Sequence, residues 1–463
     1  MRVVPGPDAG FLSAEQPEWP FHVSALLILD PGESERFSLA SLRQQLLNRI
    51  HRVPQFRWVV GDDVLPLLTK PVWVDDPHFD IDRHLHRVAV ASPGDERELS
   101  RLVGDLVSTR LPRTKPLWEM WIIEGLANGR VALLSKVHHS IVDGESGVEL
   151  VTLLFDLEPE PEPGPPAPDW VPEPAPSATA QLTNAAAGLL SWPFKAVDLG
   201  WSVVRQAATY ASHGGDEVGP VVPFSGPRTP FNGELTQDRG FASASLDLER
   251  CQAVKQSAGV KLNDVILTVV SGALRTYLAD VDVLPESPLV AQMPVSLRRG
   301  DGGDHVGTRV ANIFVPIATD EDVPAARLAS IHRTTTQAKQ VRRELDEHSG
   351  AGITDMLPPG LMALASRQWI IGHFDSVMAP FFNVVVSNVV GSPTEIYVVG
   401  ARVEAFYPMG PLVLGSGLNF TVVSNAGSLD FGLLTCPDLV PDAWDVANRL
   451  QPALDELATA FDL

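Results

Sequence analysis

Two adjacent histidines, His138 and His139, are followed by Asp143 and Gly144 in the stretch KVHHSIVDGESG, residues 136–147. An ordinary imidazole is largely neutral at pH 7 and can accept a proton. An alcohol is nearly inert as a nucleophile until a base within hydrogen-bond reach takes its proton. At a strand end, neighbouring side chains point to opposite faces, so one histidine can face reactants while the other packs inward. Asp143 is placed to accept a hydrogen bond that holds the turn, or to pair with an arginine behind it. Gly144 permits a sharp bend there.

Three further readings stand beside general-base catalysis. The stretch can be an ordinary polar turn in which Asp143 caps a helix. A zinc site needs more ligands, and the chain holds no His-Glu-x-x-His and no cysteine pair. Two neighbouring side chains on opposite faces do not chelate one ion, so no metal is expected. A nucleophilic serine finds only GESGV, which lacks the second glycine where a nucleophile elbow needs it. The general-base reading accounts for the most residues.

The elements that must carry this turn can be read from periodicity. FHVSALLILD (21–30) is a strand, and SLASLRQQLLNRIHRVPQFRW (38–58) opens as an amphipathic helix that stops before Pro54. LWEMWIIEGL and RVALLSKV are strands flanking the Ala-Asn-Gly turn at 127–129. The histidines end the second of these, and Ser146 with Glu149 forms a capping box opening a helix. EPEPEPGPPAPDWVPEPAPS (158–177) is too rich in proline for helix or sheet and is an extended, semi-rigid linker. Three segments follow: residues 1–157, a linker with connecting helix at 158–212, and residues 213–463. The interrupted apolar stretch 181–212 is read as a helix packed on its own domain, with a membrane-contacting segment as the other reading. Beyond it, NDVILTVVSGALRTYLAD is a helix with Asn263 as N-cap, and PLVAQMPVSLR and RVANIFVPI are strands. NVVVSNVV is a buried strand whose Ser387 and Asn388 must then be hydrogen-bonded. LNFTVVSNAGSLDFGLLTC is a hairpin about Asn-Ala-Gly.

Composition bounds the function. The chain has 463 residues, 44% of them hydrophobic, a net charge of -22, and so ample core material for two domains. Its pI near 4.9 excludes the basic footprint of a nucleic-acid binder. Anionic lipid would repel it, which makes any membrane contact local and hydrophobic. With only Cys251 and Cys436, no disulfide framework or thiolate zinc cluster can form. The first residues lack a signal-peptide layout, and no uncharged apolar run reaches the roughly 18 residues that span a bilayer. A soluble cytoplasmic protein is expected, with peripheral contact at the inner membrane or lipid inclusions left open.

An ordered set of motifs resembles the bacterial wax ester synthase/diacylglycerol acyltransferase family. Besides the histidine motif it comprises FLSAEQPEWPFHV (11–23), PLW (116–118), TPFNG (229–233), Asn263-Asp264, MPVSLR (293–298), GTRVANIFVPI (307–317), SNVVGSP (387–393), YPMGP (407–411) and GLNFTVVS (417–424). The histidine motif alone is shared with chloramphenicol-acetyltransferase-like enzymes and peptide-synthetase condensation domains. Val390 departs from the pattern, since the family usually has proline there. The resemblance implies an α/β fold of two similar chloramphenicol-acetyltransferase-like sandwich domains with a catalytic tunnel between them. It implies transfer of a long-chain acyl group from acyl-CoA, a substrate and not a cofactor, to the hydroxyl of diacylglycerol or a fatty alcohol. His139 is then the general base for direct attack, with no acyl-enzyme, and His138 and Asp143 complete the motif. Gly144, Trp118, Asn263, Asp264 and Arg298 shape the site, Arg298 as the partner of Asp143 across the two halves. Asn312 and Asn388 are candidate oxyanion donors, and Ser387 a substrate contact. Arg298, Arg299 and Arg309 are the candidate basic patch for CoA. A condensation-type enzyme using a carrier-protein thioester, and an inactive lipid-binding homologue, remain as alternatives.

Overall fold

The computed structural model describes residues 2–32, 37–61, 70–141, 153–162, 167–177, 179–180, 182–183, 224–297, 309–347 and 359–463. Within it, Val131–His138 (β7) is buried at every position but its first, so both its faces are covered. β7 pairs antiparallel with His22–Asp30 (β2) and with Trp118–Glu124 (β6), setting His22 opposite His138 and Trp118 opposite Val137. Leu85–Ala89 (β5) runs parallel to β6. Tyr397–Val398 (β12) and Ala401–Met409 (β13) complete a six-stranded sheet in the order β12-β13-β2-β7-β6-β5.

One face of this sheet packs on Leu39–Arg49 (α2), whose Leu42 and Leu46 are fully buried together with Ile50 in the turn that follows. The four-residue spacing sets that stripe, and Ser38 starts the helix by accepting the Ser41 N–H at 3.1 Å. Arg2–Val3 (β1), Trp58–Val60 (β3) and Val72–Asp75 (β4) form a small separate sheet in the order β1-β4-β3. Gly6–Ala14 (α1) packs over the turn after β7. The other face meets Glu96–Ser108 (α3), where Leu99, Val103 and Val107 join Phe241 and Leu434 of the second half. At Gly104 the approach is close: a Cβ there would lie 2.6 Å from the Arg239 carbonyl.

The second sheet has the order β10-β9-β11-β14-β15-β8. Its strands are Gly240–Asp247 (β8), Val290–Leu297 (β9), Arg309–Pro316 (β10), Val384–Val389 (β11), Leu418–Asn425 (β14) and Ser428–Thr435 (β15). The helix Leu262–Asp280 (α5), buried from Asp264 to Leu274, lies on it with Leu248–Ala258 (α4), Pro324–Glu347 (α6), Ala443–Ala447 (α9) and Leu450–Thr459 (α10). Pro359–Ile371 (α7) packs on α1, and Phe374–Val377 (α8) follows it. Among the described residues no single helix is long and apolar enough to cross a membrane.

Three features differ from the sequence reading. α5 starts two residues early: Lys261 is its N-cap, and Asn263 lies inside its first turn. The cap is made backwards, with the Asp264 carboxylate accepting the Lys261 N–H at 3.1 Å. The proline-rich stretch forms neither helix nor strand where described, and it lies on the first half. Trp170 stacks under Arg57 at 4.7 Å, and the Glu173 N–H donates to Asp75 at 2.9 Å. β12 and β13 fall within residues 213–463 but are built into the first sheet, so strand membership does not follow the division at the linker. β13 is also stitched to the second sheet. Asp430 of β15 accepts the Phe406 N–H at 2.8 Å, and at Gly432 any side chain would collide with the Pro408 carbonyl. Of residues 181–212, only 182 and 183 are among the described residues.

Candidate active site

The strand end carrying the histidines is pinched between two neighbours. The His138 N–H donates to the Leu117 carbonyl at 2.9 Å, and the His139 N–H to the Phe21 carbonyl at 2.7 Å. Beyond them the chain makes a tight turn, His139–Ile141. The Ser140 N–H donates to His138 Nδ1 at 3.1 Å, and the Ser140 hydroxyl lies 2.6 Å from the same atom. Nδ1 is therefore an acceptor, and the proton of neutral His138 sits on Nε2.

That Nε2 is enclosed and faces Glu15 Oε1 across 3.9 Å, and neither atom has a hydrogen-bond partner. Glu15 terminates α1, its side chain only 3% exposed, and its other oxygen accepts from Arg113 Nη2 at 2.8 Å. Arg113 also holds the Leu12 carbonyl. Burial pushes His138 down to about 3, helped by the positive charge of Arg113, so it is neutral at pH 7.

The strand ends at His138, and His139 opens the turn and lies against the same helix, α1. His139 is half-buried, and its ring lies 4.4 Å from that of Phe11 on α1. Phe11 in turn meets Phe21 at 5.1 Å, and Phe21 meets Trp19, whose indole N–H holds the Leu412 carbonyl at 2.8 Å. Desolvation lowers the His139 pKa, and its Nδ1 is enclosed without a partner. A neutral imidazole against an aromatic wall is suited to accept a proton and unsuited to hold a charge unaided. Asp143, Gly144, Ser146 and Glu149 lie outside the described residues, as do Arg298 and Arg299.

Trp118 begins β6 at 0% exposure and stacks between Phe56 at 4.9 Å and His84 at 4.3 Å. Its indole N–H donates to the Phe56 carbonyl at 2.8 Å. Of PLW, it is the Leu117 carbonyl that touches the histidine backbone, and Trp118 is core. Asp264 is fully buried and joins α5 to α6, accepting from Thr335 Oγ1 at 2.8 Å and meeting His332 Nδ1 at 2.7 Å. The Asn263 side-chain nitrogen is enclosed and unpartnered.

β11 is buried only over Val384–Val386, leaving Ser387 half-buried and Asn388 exposed, contrary to the expected buried polar pair. Asn312 on β10 is also exposed, and Arg309 opens that strand opposite Leu297. Among the described residues no hydrogen bond joins Asn312, Ser387 or Asn388 to either histidine. The structure instead gathers Glu15, Phe11, Arg113 and Ser140 about them. Glu15 sits in a motif noted from sequence, but nothing local pairs it with Arg113 or His138 a hundred residues on.

Comparison with known proteins agrees over the whole length. The profile of the wax ester synthase/diacylglycerol acyltransferase catalytic domain matches residues 5–266, and that of the WS/DGAT C-terminal domain matches residues 306–458. A Mycobacterium tuberculosis protein (strain CDC 1551) provisionally named a diacylglycerol O-acyltransferase is 36% identical over 476 residues, 100% of this chain and 91% of that one. The similarly named tgs2 of strain H37Rv is 33% identical over 469 residues, 98% of each chain. The solved wax ester synthase/diacylglycerol acyltransferase from Marinobacter aquaeolei VT8 superposes with a TM-score of 0.72 at 28% identity, covering 100% of both chains. The first condensation domain of the calcium-dependent antibiotic synthetase shares the fold, with a TM-score of 0.58 at 14% identity over 100% of this chain and 96% of that one. Motifs, two-sheet architecture and histidine geometry thus converge, and the chain belongs to the wax ester synthase/diacylglycerol acyltransferase family of acyltransferases.

Proposed function

We propose that this protein transfers a long-chain acyl group from acyl-CoA to a lipid hydroxyl, with His139 as the general base. The observation that carries the reading is the pair of neutral histidines at the end of β7, His138 held inside by Ser140 and His139 set against the Phe11 ring. In the proposed step His139 takes the acceptor hydroxyl proton as that oxygen attacks the thioester carbonyl. The tetrahedral oxyanion collapses, the carbon–sulfur bond breaks, and the departing thiolate recovers the proton from His139. No acyl-enzyme and no cofactor are needed. Diacylglycerol is the acceptor favoured by the names of the mycobacterial relatives, while the name of the Marinobacter enzyme covers both wax ester and diacylglycerol acylation.

The test is release of free thiol from long-chain acyl-CoA with and without diacylglycerol or fatty alcohol. Acceptor-dependent release is expected, and His139→Ala should lower turnover roughly 10²–10⁴-fold. Thiol release indifferent to acceptor would mark a thioesterase. Turnover only from an acylated carrier protein would make this a condensation-type enzyme.

A further inference from the structure

The large apolar side chains left exposed on this molecule are not evenly spread. Leu361, Leu364, Ile371, Phe374 and Val377 are 41–72% exposed and all fall on α7 and α8. At 3.6 residues per turn, Leu361, Leu364, Ala365, Gln368 and Ile371 fall within one arc of about 120° on α7, and all five are exposed. Ser366, on the opposite side, is buried, and Ala363 and Ile370 beside it are half-buried, so the helix presents its apolar stripe outward. Single exposed leucines need no explanation, but a contiguous stripe does.

The charge around the stripe is as unusual as its hydropathy. The chain carries 57 acidic residues, yet none occurs from Pro359 to Phe374, where Arg367 is the only lysine or arginine. The next carboxylate, Asp375, is turned inward to accept the Trp369 indole N–H, and burial pushes it up to about 6. Glu234, nearby, is bound to His373 at 2.8 Å. On a protein of net charge -22 this face is electrically quiet. Its position matters too: the inner side of α7 packs on α1, whose Phe11 touches His139.

We propose that α7 and α8 form the docking surface by which this protein sits on a zwitterionic lipid surface that holds its acceptor. The partner follows from the chemistry. An acid-free apolar stripe on an acidic protein suits uncharged acyl chains under zwitterionic headgroups and is ill matched to anionic lipid. The choice of a lipid partner rests on the lipid-hydroxyl reading above, because an acceptor insoluble in water must be met where it resides. Docking there leaves one helix, α1, between the lipid and His139.

Flotation of the full-length protein with phosphatidylcholine vesicles containing diacylglycerol tests this. The wild type should float, and phosphatidylglycerol should not increase its bound fraction. Leu364→Asp with Ile371→Asp should reduce partitioning about tenfold or more per position, while Leu364→Met with Ile371→Val retains it. Leu361→Asp supplies an independent exposed site should the double variant fold poorly. Thiol release with a water-soluble short-chain alcohol should be unchanged in all these variants. If that activity is absent throughout but flotation still depends on the stripe, the docking surface stands and the enzymatic reading falls. Equal flotation of wild type and Asp variants would overturn the proposal. So would a dimer broken by the same substitutions in a wild type that ignores vesicles.

Discussion

At His138 the chemistry is set by a residue far away in the chain. His138 Nε2 lies 3.9 Å from a carboxylate whose other oxygen Arg113 holds. Since Nδ1 is occupied by the Ser140 N–H, Glu15 is placed to fix the ring at one end while the turn fixes it at the other. Glu15→Ala should therefore loosen the turn bearing His139 and lower kcat about tenfold, or about 1.4 kcal/mol of barrier, with KM for acyl-CoA unchanged. Glu15→Gln keeps an acceptor for Nε2 and should recover most of that loss. Stability should fall by only about 1 kcal/mol in either case, because Arg113 is 45% exposed and its pairing is screened. Steady-state kinetics beside denaturant melts decide it, and equal kcat for the alanine and glutamine variants would sink the positioning role. The sequence made the histidine pair legible because a contiguous motif at the end of a strand is a local fact, although the strand ends at His138 and His139 already belongs to the turn. Glu15 was not legible, since its meaning depends on contacts with Arg113 and His138 that no local pattern records.

Among the elements, α5 shows how a polar motif becomes a fastener. Asp264 caps its own helix through the Lys261 N–H and reaches α6 through Thr335 and His332. Asp264→Ala removes a cap and two side-chain bonds from a buried place, so a loss of about 2–4 kcal/mol is expected in urea unfolding. Asp264→Asn, which keeps one acceptor, should lose less, and Thr335→Ala should lose about 1 kcal/mol. A loss below 1 kcal/mol for Asp264→Ala would show the contacts to be incidental. Periodic elements were readable in advance: α2 from its four-residue apolar step, and the β14–β15 hairpin from the Ala426-Gly427 turn. Sheet order was not, because nothing in the alternation of β13 says that its partner is β2, several hundred residues earlier.

Across the whole molecule, buried neutral histidines set the acid limit of stability. His22, His84 and His138 are all buried, and burial is the first cause of each lowered pKa, to about 4 for His84 and about 3 for His138. Unfolded, each takes a proton near pH 6.5. The unfolded chain thus binds more protons below that value, and stability falls as pH drops from about 6.5 toward 3–4, by up to about 1.4 kcal/mol per pH unit for each. Lys136 acts at the other edge. It is held by the Leu106 and Thr109 carbonyls but lowered by burial to about 8, so its contribution rises with pH between about 8 and 10.5. Thermal melts at constant ionic strength should show a midpoint falling below pH 6.5, with net proton uptake on unfolding at pH 5.5. A midpoint flat from pH 7 to 5 would contradict the buried neutral state. The crossing of β13 into the first sheet has a further consequence, for order in time. While the chain is being made, β2 is translated early and lacks its outer neighbour until residue 409 has emerged, tens of seconds later at ordinary synthesis rates. Through that interval its Leu27 and Leu29 belong to an unfinished sheet with an open edge, a template for wrong pairing. The first half therefore waits on the second to close its sheet, with one edge of β2 paired to β7 and the other open until β13 arrives.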